Sequence, residues 1–335
     1  MPGVNAPAPN VRPDLAALIA AALGRQPALT PAARIAVAVS GGPDSLALLG
    51  LAAAAFPGRV TALTVDHRLR PDSAAEAAGV AAQCAARGIA HATLVRGGAD
   101  IAANIQARAR AARYALMGEW CAQNGHGLLL TAHHADDQAE TLLMRLNRAS
   151  GSDGLAGIRA ARLLQPDVVL VRPLLACRKA DLVAIAAADG WQAVDDPANR
   201  DSRHDRTQVR ALLAAHPALD AGALALSAAH LAVDAEALAW AADLAWQGRV
   251  READGALLVD ADGLPAALVQ RLLARAVETL AGRPARGSDI GRLAARLGEG
   301  CSGTLAGVVA RPGAIWRLSV TRPPQKGGKK PQKSD

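Results

Sequence analysis

The sequence predicts an α/β protein in which a helix-flanked parallel sheet is followed by a smaller, mainly helical C-terminal domain. Short branched apolar runs alternate with helical stretches up to about residue 210, as expected where helices cover both faces of a parallel sheet. A glycine-rich turn joins the first apolar run to the helix behind it. Beyond residue 210, alanine and leucine dominate a long stretch, a composition that favours helix.

In the first part of the chain, predicted strands alternate with predicted helices. We expect strands over 35–39, 59–65, 91–95, 127–131 and 168–171, and helices from the 40–45 turn to 52 and over 72–87, 101–124, 136–147 and 179–188. Ligands of such sheets bind beyond the carboxyl ends of the strands, near a switch in strand order. Polar residues that directly follow the strands are therefore the candidates for a site.

The second part is predicted to be helical with a minor sheet. We expect helices over 211–246, 264–280 and 288–297, and strands over 256–259, 304–310 and 315–320. The predicted organisation is an N-terminal arm with a short helix (1–24), a first domain (25–210), a second domain (211–320) and a disordered basic tail (321–335).

Composition restricts the class of protein. The chain of 335 residues is 51% hydrophobic and 20% charged, which is typical of a globular protein. Its four cysteines form no Cys-x-x-Cys pair, which argues against a zinc site, an iron–sulfur cluster or a disulfide framework and fits a reducing cytoplasm. We expect no membrane span and no export signal, and hence a cytoplasmic protein.

Much of the net charge of +7 lies in the tail, which contains five basic residues and only one acidic residue, Asp335. Such a tail can bind RNA loosely through phosphates, or it can be a solubilising terminus. In the second domain a candidate RNA-binding patch consists of Arg283, Arg286, Arg292 and Arg296. Scattered surface arginines are the alternative interpretation of that patch.

The turn after the first strand reads Ser40-Gly41-Gly42-Pro43-Asp44-Ser45. Two glycines allow close approach of a ligand to the backbone, and the free amides and dipole of a helix N-terminus favour an anion. The turn is neither a Walker A sequence nor Gly-x-Gly-x-x-Gly. A plain strand-to-helix turn built from small residues is the alternative, but the strand–loop–helix context favours phosphate binding.

A second polar segment, from Thr131 to Thr141, directly follows the fourth strand. Within it His133 and Asp137 are four residues apart and would face the same side of a helical turn. An oxygen-rich site beside a phosphate loop suits Mg²⁺ held by one or two carboxylates and nucleotide oxygens. We interpret Asp136 as a capping carboxylate at the start of the helix.

Arginines form two further clusters. Arg110 and Arg113 lie on one polar stripe of the long helix, which is either a solvated face or a partner for phosphate. Arg206 and Arg210 follow the acidic segment 195–201 at the domain junction. This cluster is either a salt-bridged hinge or a means of placing Arg206 or Arg210 over a cleft.

The hexapeptide resembles the pyrophosphate loop (PP-loop) of the N-type ATP pyrophosphatases, which have an adenine-nucleotide α-hydrolase-like fold. Together with Ala109-Arg110-x-x-Arg113-Tyr114, His133-His-x-Asp-Asp-Gln-x-Glu-Thr141 and Asp196-Pro-x-Asn199-x-Asp201, it resembles the tRNA(Ile)-lysidine synthase family over about residues 30–210. Ala149 and Thr207 depart from the family pattern, where we expect glycine and asparagine. The chain resembles a short form of that family.

The resemblance implies a two-step ligase reaction that needs ATP and Mg²⁺. ATP adenylates the ring carbonyl of the wobble cytosine in tRNA(Ile) with a CAU anticodon, and free L-lysine then displaces AMP to give lysidine. It also implies that 211–320 binds the tRNA substrate and that a homodimer is possible.

By the same resemblance, the loop Ser40–Ser45 binds ATP, with the amides of Gly41, Gly42 and Ser45 on the pyrophosphate. Asp44 helps to place Mg²⁺ through ATP, and Arg113 offsets phosphoryl charge. His133 and Asp137 orient the reacting groups or move a proton from the lysine amine. Arg110, Arg206 and Arg210 are RNA or substrate candidates.

Other classes of function fit parts of the pattern. A tRNA-cytidine thiolase shares the loop, but we expect such an enzyme to carry paired cysteines, which this chain lacks. A small-molecule amidotransferase or synthetase is a further relative. A non-catalytic ATP-dependent RNA-binding module would need neither His133 nor Asp137 beside an intact loop.

Overall fold

A computed structural model describes residues 12–24, 33–66, 73–95, 105–194 and 205–321 of the chain. The chain divides into two compact units, Met1–Ala149 with Asp153–Ala232 and Ser150–Ser152 with Val233–Asp335. The division lies past the boundary expected near residue 210, because the helix that follows residue 204 packs on the first unit. The acidic segment 195–201 and nearly all of the predicted tail lie outside the described residues.

The first unit is built on a six-stranded sheet with the order β3-β2-β1-β4-β6-β5. Its strands are β1 Ile35–Ala38, β2 Val60–Asp66, β3 Ala90–Val95, β4 Leu128–Leu130, β5 Ala161–Gln165 and β6 Val168–Val171. All neighbours pair in parallel except β5 and β6. The predicted parallel sheet is confirmed, and the strand order reverses between β1 and β4, which is where such sheets bind ligands.

Strand β5 is an antiparallel edge strand that the sequence analysis did not predict. Most of its residues are partly or fully exposed, and it reaches β6 through a two-residue turn at 166–167. Because neither face is buried, β5 lacks the apolar alternation that predicts a strand. Its first residues lie beside the end of β6, with Ala161 opposite Val171.

Helices cover both faces of this sheet, as predicted. Along β1, Ile35 and Val37 belong to the core formed with α1, α2 and α7, whereas Ala36 belongs to the core on the face of α4. This alternation follows from the two-residue period of a strand. The helices are α1 Leu15–Leu23, α2 Pro43–Ala55, α3 Ser73–Ala85, α4 Ile105–Gln123, α5 Ala135–Leu146, α6 Ser152–Leu155, α7 Lys179–Ala188 and α8 Asp205–Ala215.

The contact between α2 and α7 depends on Gly50, which has no side chain to hold the helices apart. A Cβ at Gly50 would lie 2.9 Å from both Asp189 Oδ2 and Trp191 Nε1. The Trp191 ring is only 6% exposed, and the Arg87 guanidinium covers it at 4.0 Å. The ring therefore has little room to move.

We expect Gly50→Ala to lower the free energy of unfolding by about 1 to 3 kcal/mol, because overpacking outweighs the better helix propensity of alanine. The matched control is Gly79→Ala at an exposed position of α3, where a Cβ would meet nothing within 4 Å. It should raise that free energy by about 0.5 to 1 kcal/mol. Urea unfolding midpoints of the two variants measure these changes in stability. Equal shifts of the two midpoints would contradict the predicted overpacking at Gly50.

The second unit contains an antiparallel sheet with the order β7-β8-β11-β10-β9, with helices packed against it. The predicted strand 304–310 is instead a hairpin, because Ala306 and Gly307 adopt φ of 53° and 85° and form its two-residue turn. Helix α9 Ala221–Arg249 begins in the first unit and ends in the second. The other elements of the second unit are β7 Val250–Ala253, β8 Ala256–Val259, α10 Ala266–Ala281, α11 Gly287–Gly298, β9 Gly303–Leu305, β10 Val308–Arg311 and β11 Trp316–Val320.

The predicted helix 211–246 is two helices, α8 and α9, separated by a turn around Pro217. Within the described ranges, α9 is the one helix that is long and apolar enough to cross a membrane by those criteria alone. The core helix of a soluble protein meets the same criteria. The length and composition of α9 thus do not identify a membrane protein.

Candidate active site

The Ser40–Ser45 loop joins β1 to α2 in the predicted strand–loop–helix geometry. Gly41 has a φ of 84°, and Gly42 is the N-cap of α2 without a side-chain cap. The Ser45 hydroxyl donates to the Gly42 carbonyl at 2.9 Å and accepts from the Ser40 amide at 3.2 Å. These bonds hold the loop in a fixed shape. Across the described residues, the amides of Gly41, Gly42 and Ser45 donate no backbone hydrogen bond.

A cavity of about 470 Å³ opens at the carboxyl ends of β1, β2 and β4. It brings together most of the residues that the sequence analysis selected, although these come from separate segments of the chain. Gly41, Pro43, Arg110 and Arg210 are not part of its lining. The predicted residues that do line it are Ser40, Gly42, Asp44, Ser45, Arg113, His133, Asp137 and Arg206.

His133 precedes α5 and does not lie on a helical turn with Asp137. The prediction that the two residues share a helix face was therefore wrong. Both nevertheless line the cavity. Its Nε2 accepts from Arg110 Nη2 at 3.2 Å, because a guanidinium can only donate. The ring proton therefore lies on Nδ1, 3.0 Å from the Thr131 hydroxyl. Burial and the charges of four nearby arginines hold the pKa of His133 well below its ordinary value.

His134 is a buried residue at the centre of three carboxylates, and the sequence analysis did not select it. Its Nε2 lies 3.6 Å from Asp44 Oδ2 and 3.5 Å from Asp137 Oδ2, and its Nδ1 lies 3.6 Å from Asp136 Oδ2. Burial opposes a charged ring, but Asp136, Asp44 and Asp137 outweigh burial and raise the pKa of His134 to about 9. The imidazolium thus links the phosphate loop to α5.

The Nδ1 atom of His134 also lies 3.4 Å from the Asp137 amide, in the geometry of a helix cap that requires an unprotonated nitrogen. That contact is long for a hydrogen bond, and three carboxylates surround the ring. We therefore assign the proton to Nδ1, where it faces Asp136. The helix is then capped from one side only, by the Asp137 carboxylate, which accepts from the His134 amide at 3.2 Å.

Asp136 lies in the first turn of α5 but also caps a different helix. Its Oδ2 accepts from the Lys179 amide at 2.8 Å, at the first residue of α7. Although burial opposes ionisation, His134, the Lys179 amide and Arg178 lower the pKa of Asp136 to about 2. Asp136 is therefore a structural link between α5 and α7, and the start of its own helix is capped by the Asp137 carboxylate.

Arg206 and Arg210 extend from α8 to a buried carboxylate on α5. Their Nε atoms donate to Glu140 at 2.7 and 2.5 Å, and Arg206 Nη2 lies 3.4 Å from Asp137 Oδ1. Glu140 is only 3% exposed. Arg206 forms ion pairs with α5 and also lines the cavity, whereas the hinge role of this cluster stays a prediction.

The departures at Ala149 and Thr207 lie away from the loop. Ala149 has a φ of 50°, a backbone conformation in which glycine carries no steric penalty. The glycine expected there would therefore relieve strain. Thr207 lies on α8, next to Arg206.

The cysteines form no metal or redox site within the part of the chain that the structure describes. Cys84, Cys121 and Cys177 are buried separately and Cys301 is exposed. The described ranges contain no group of three metal-ligating side chains. This arrangement does not favour the thiolase alternative with a protein-bound cluster.

In the second unit, Arg292 and Arg296 line a second cavity of about 520 Å³. Arg292 pairs with Asp289, and Arg296 donates to the Ser302 carbonyl at 2.8 Å. Arg283 and Arg286 are exposed. The RNA-binding role of these four arginines stays a prediction.

Comparisons with known proteins identify the class of protein to which the fold belongs. Residues 12–216 match a family described as the PP-loop domain, so the chain is a PP-loop ATP-binding protein. The archaeal U34-tRNA thiolase NcsA from Methanococcus maripaludis shares the fold, with a TM-score of 0.53 and 16% identity over 65% of this chain and 78% of that one.

More similar relatives identify the family. A tRNA(Ile)-lysidine synthase from Novosphingobium aromaticivorans is 45% identical over 87% of this chain and 90% of its own length. One from Zymomonas mobilis is 41% identical over 88% of this chain and 90% of its own length. The chain belongs to the tRNA(Ile)-lysidine synthase family, which confirms the predicted fold class, tRNA-modifying enzyme activity and ATP binding.

Proposed function

We propose that the chain ligates free L-lysine to the wobble cytidine of tRNA(Ile) with a CAU anticodon. In the first step the ring carbonyl oxygen attacks the α phosphate of ATP and pyrophosphate leaves. In the second step the lysine ε-amine attacks the activated ring carbon, and AMP leaves with the former carbonyl oxygen. One observation carries the proposal: the phosphate loop, Arg113, His133 and Asp137 face a single cavity.

Magnesium fits the carboxylate of Asp44. Asp44 Oδ1 is buried and has no hydrogen-bond partner among the described residues, while Oδ2 faces His134. Mg²⁺ is commonly held by one or two carboxylates together with nucleotide phosphate oxygens. Asp44 would hold the ion, and the ion would neutralise charge on the pyrophosphate that leaves.

The remaining residues of the cavity have distinct roles in this proposal. The free amides of the loop hold the pyrophosphate, and Arg113 offsets charge on the transferring phosphoryl group. Lysine must lose a proton before its amine can attack. A bound nucleotide would offset the arginines around His133, raise its pKa and make it a better proton acceptor. Asp137 would orient the amine.

The partners follow from the reaction. We propose a cytoplasmic location, because tRNA, lysine and ATP are all present there. The homodimer that the family resemblance implies, tRNA binding by residues 211–320 and a role for the basic tail belong to the same proposal. A truncation at Pro323 with a salt series measures any contribution of the tail to RNA binding.

An assay with labelled lysine tests the proposed reaction. We expect the full chain, with Mg-ATP and a tRNA(Ile) transcript that carries CAU, to release AMP and pyrophosphate and to transfer the label to RNA. A transcript with another anticodon is the control and should stay unlabelled. Release of ADP and phosphate would contradict cleavage at the α phosphate. AMP without label on RNA would remove lysine from the proposal.

A further inference from the structure

Four arginines surround Tyr114 on α4. The guanidinium carbons of Arg110, Arg113 and Arg162 lie 5.2, 5.8 and 5.2 Å from the centre of the Tyr114 ring. The Arg172 guanidinium interacts with the Tyr114 hydroxyl. We call Tyr114, Arg110, Arg113, Arg162 and Arg172 the arginine cluster. It collects positive charge from α4, from β5 and from the end of β6.

Among the described residues, the arginine cluster has no counter-anion. Within the described ranges, none of its four guanidinium groups forms an ion pair with a carboxylate. Arg172 is only 5% exposed, and its Nε has no hydrogen-bond partner there. Burial and neighbouring arginines lower the pKa of Arg113 and Arg172. Buried charge without a partner is costly, so a bound anion would stabilise this arrangement.

The arginine cluster begins inside the cavity and ends on the surface. Arg113 and Tyr114 line the cavity beside the phosphate loop, whereas Arg110 and Arg162 are exposed and are not part of the lining. Arg162 reaches this edge of the sheet because β5 runs antiparallel and starts beside the end of β6. Two guanidinium groups thus lie outside the cavity that holds the nucleotide loop.

We propose that Arg110 and Arg162, supported by Tyr114 and Arg172, bind an RNA phosphodiester next to the nucleotide whose base enters the cavity. The proposal rests on the proposed function, because it requires an RNA substrate. A base that leaves its stack to enter a pocket keeps its phosphodiesters outside that pocket. Guanidinium groups suit phosphate because their planar donors can bind two oxygens at once. The ATP phosphates have their own loop.

The salt dependence of RNA binding tests this site. The probe is an RNA hairpin with a CAU loop, and the variants of the full chain are Arg162→Ala, Arg162→Lys and Arg110→Ala. We expect each alanine variant to bind the hairpin about threefold to tenfold more weakly and to lower the slope of log K against log salt by about 0.7. Arg162→Lys should keep most of that slope.

The matched control is Arg34→Ala, which removes the same charge from an exposed residue at the amino end of β1. It should bind the hairpin as the unchanged chain does. A slope for Arg162→Ala equal to that of Arg34→Ala would overturn the proposal, and so would an equal loss of ATP affinity. Failure of the proposed function can be told apart from failure of the phosphodiester site, because in that case the unchanged chain would transfer no lysine to tRNA.

Discussion

We expect Asp44→Ala to slow the ATP-dependent formation of AMP by about a thousandfold, the largest effect that this site predicts. The substitution removes a carboxylate with one oxygen that is buried and without a hydrogen-bond partner in the described residues. The other oxygen faces the His134 ring at 3.6 Å. In the proposed role Asp44 places Mg²⁺, and loss of that carboxylate would remove several kcal/mol of charge stabilisation from the transition state. Release of labelled pyrophosphate measures the rate.

Affinity for tRNA is the control measurement for Asp44→Ala and should change less than about twofold, because proteins bind nucleic-acid phosphates through lysine and arginine and not through carboxylates. The matched variant is Asp181→Ala. It removes a carboxylate from the first turn of α7 in the same unit, and Asp181 does not line the cavity. An equal loss of tRNA binding in Asp44→Ala would indicate a folding defect and would contradict the assigned role.

The second large effect is the pH dependence of stability that His134 contributes. The pKa of His134 is about 9 in the folded chain, against an ordinary value of 6.5. Because the folded pKa is the higher one, this stabilisation is complete below pH 6.5 and is lost as pH rises through about 9. The side chain is only 4% exposed, so the shift corresponds to about 3 kcal/mol.

Between about pH 6 and about pH 9.5, the unchanged chain should therefore lose about 3 kcal/mol more unfolding free energy than His134→Gln loses. Denaturant titrations across this range measure it. The control is His126→Gln, which replaces another buried histidine; burial lowers the pKa of His126, so His126 contributes no stability that is lost as pH rises through about 9. If the chain and His134→Gln lose stability equally over the range, His134 is not charged between its carboxylates.

The sequence was sufficient to predict the parts of the fold that depend on burial. β1 and β4 are buried on both faces, and such strands appear as continuous branched apolar runs. The phosphate loop was predictable because glycine, proline and serine each have a backbone role at the turn between a strand and a helix. The cavity unites Asp44, Arg113 and His133 because parallel strands end at one edge of the sheet.

Other features depend on contacts between distant segments, which periodicity does not report. The exposed strand β5 has no apolar pattern, so its Arg162 could not be placed at the edge of the cavity. His134 was overlooked because the spacing argument assumed that His133 lies on the helix. In the structure α5 begins at Ala135, which makes His134 the cap and turns its ring toward Asp44. The available signal was that His134 belongs to a histidine pair and is followed, after one alanine, by Asp136 and Asp137.

Following the ring carbonyl oxygen of the wobble cytosine is the most direct test of whether ATP adenylates this base. If ATP adenylates the wobble cytosine, the ring carbonyl oxygen must leave with AMP when lysine attacks. We expect a tRNA(Ile) transcript with heavy oxygen in that carbonyl to give AMP that carries the label, as measured by mass spectrometry, with one labelled AMP for each lysine transferred. Unlabelled AMP together with lysine on the RNA would contradict adenylation of the base.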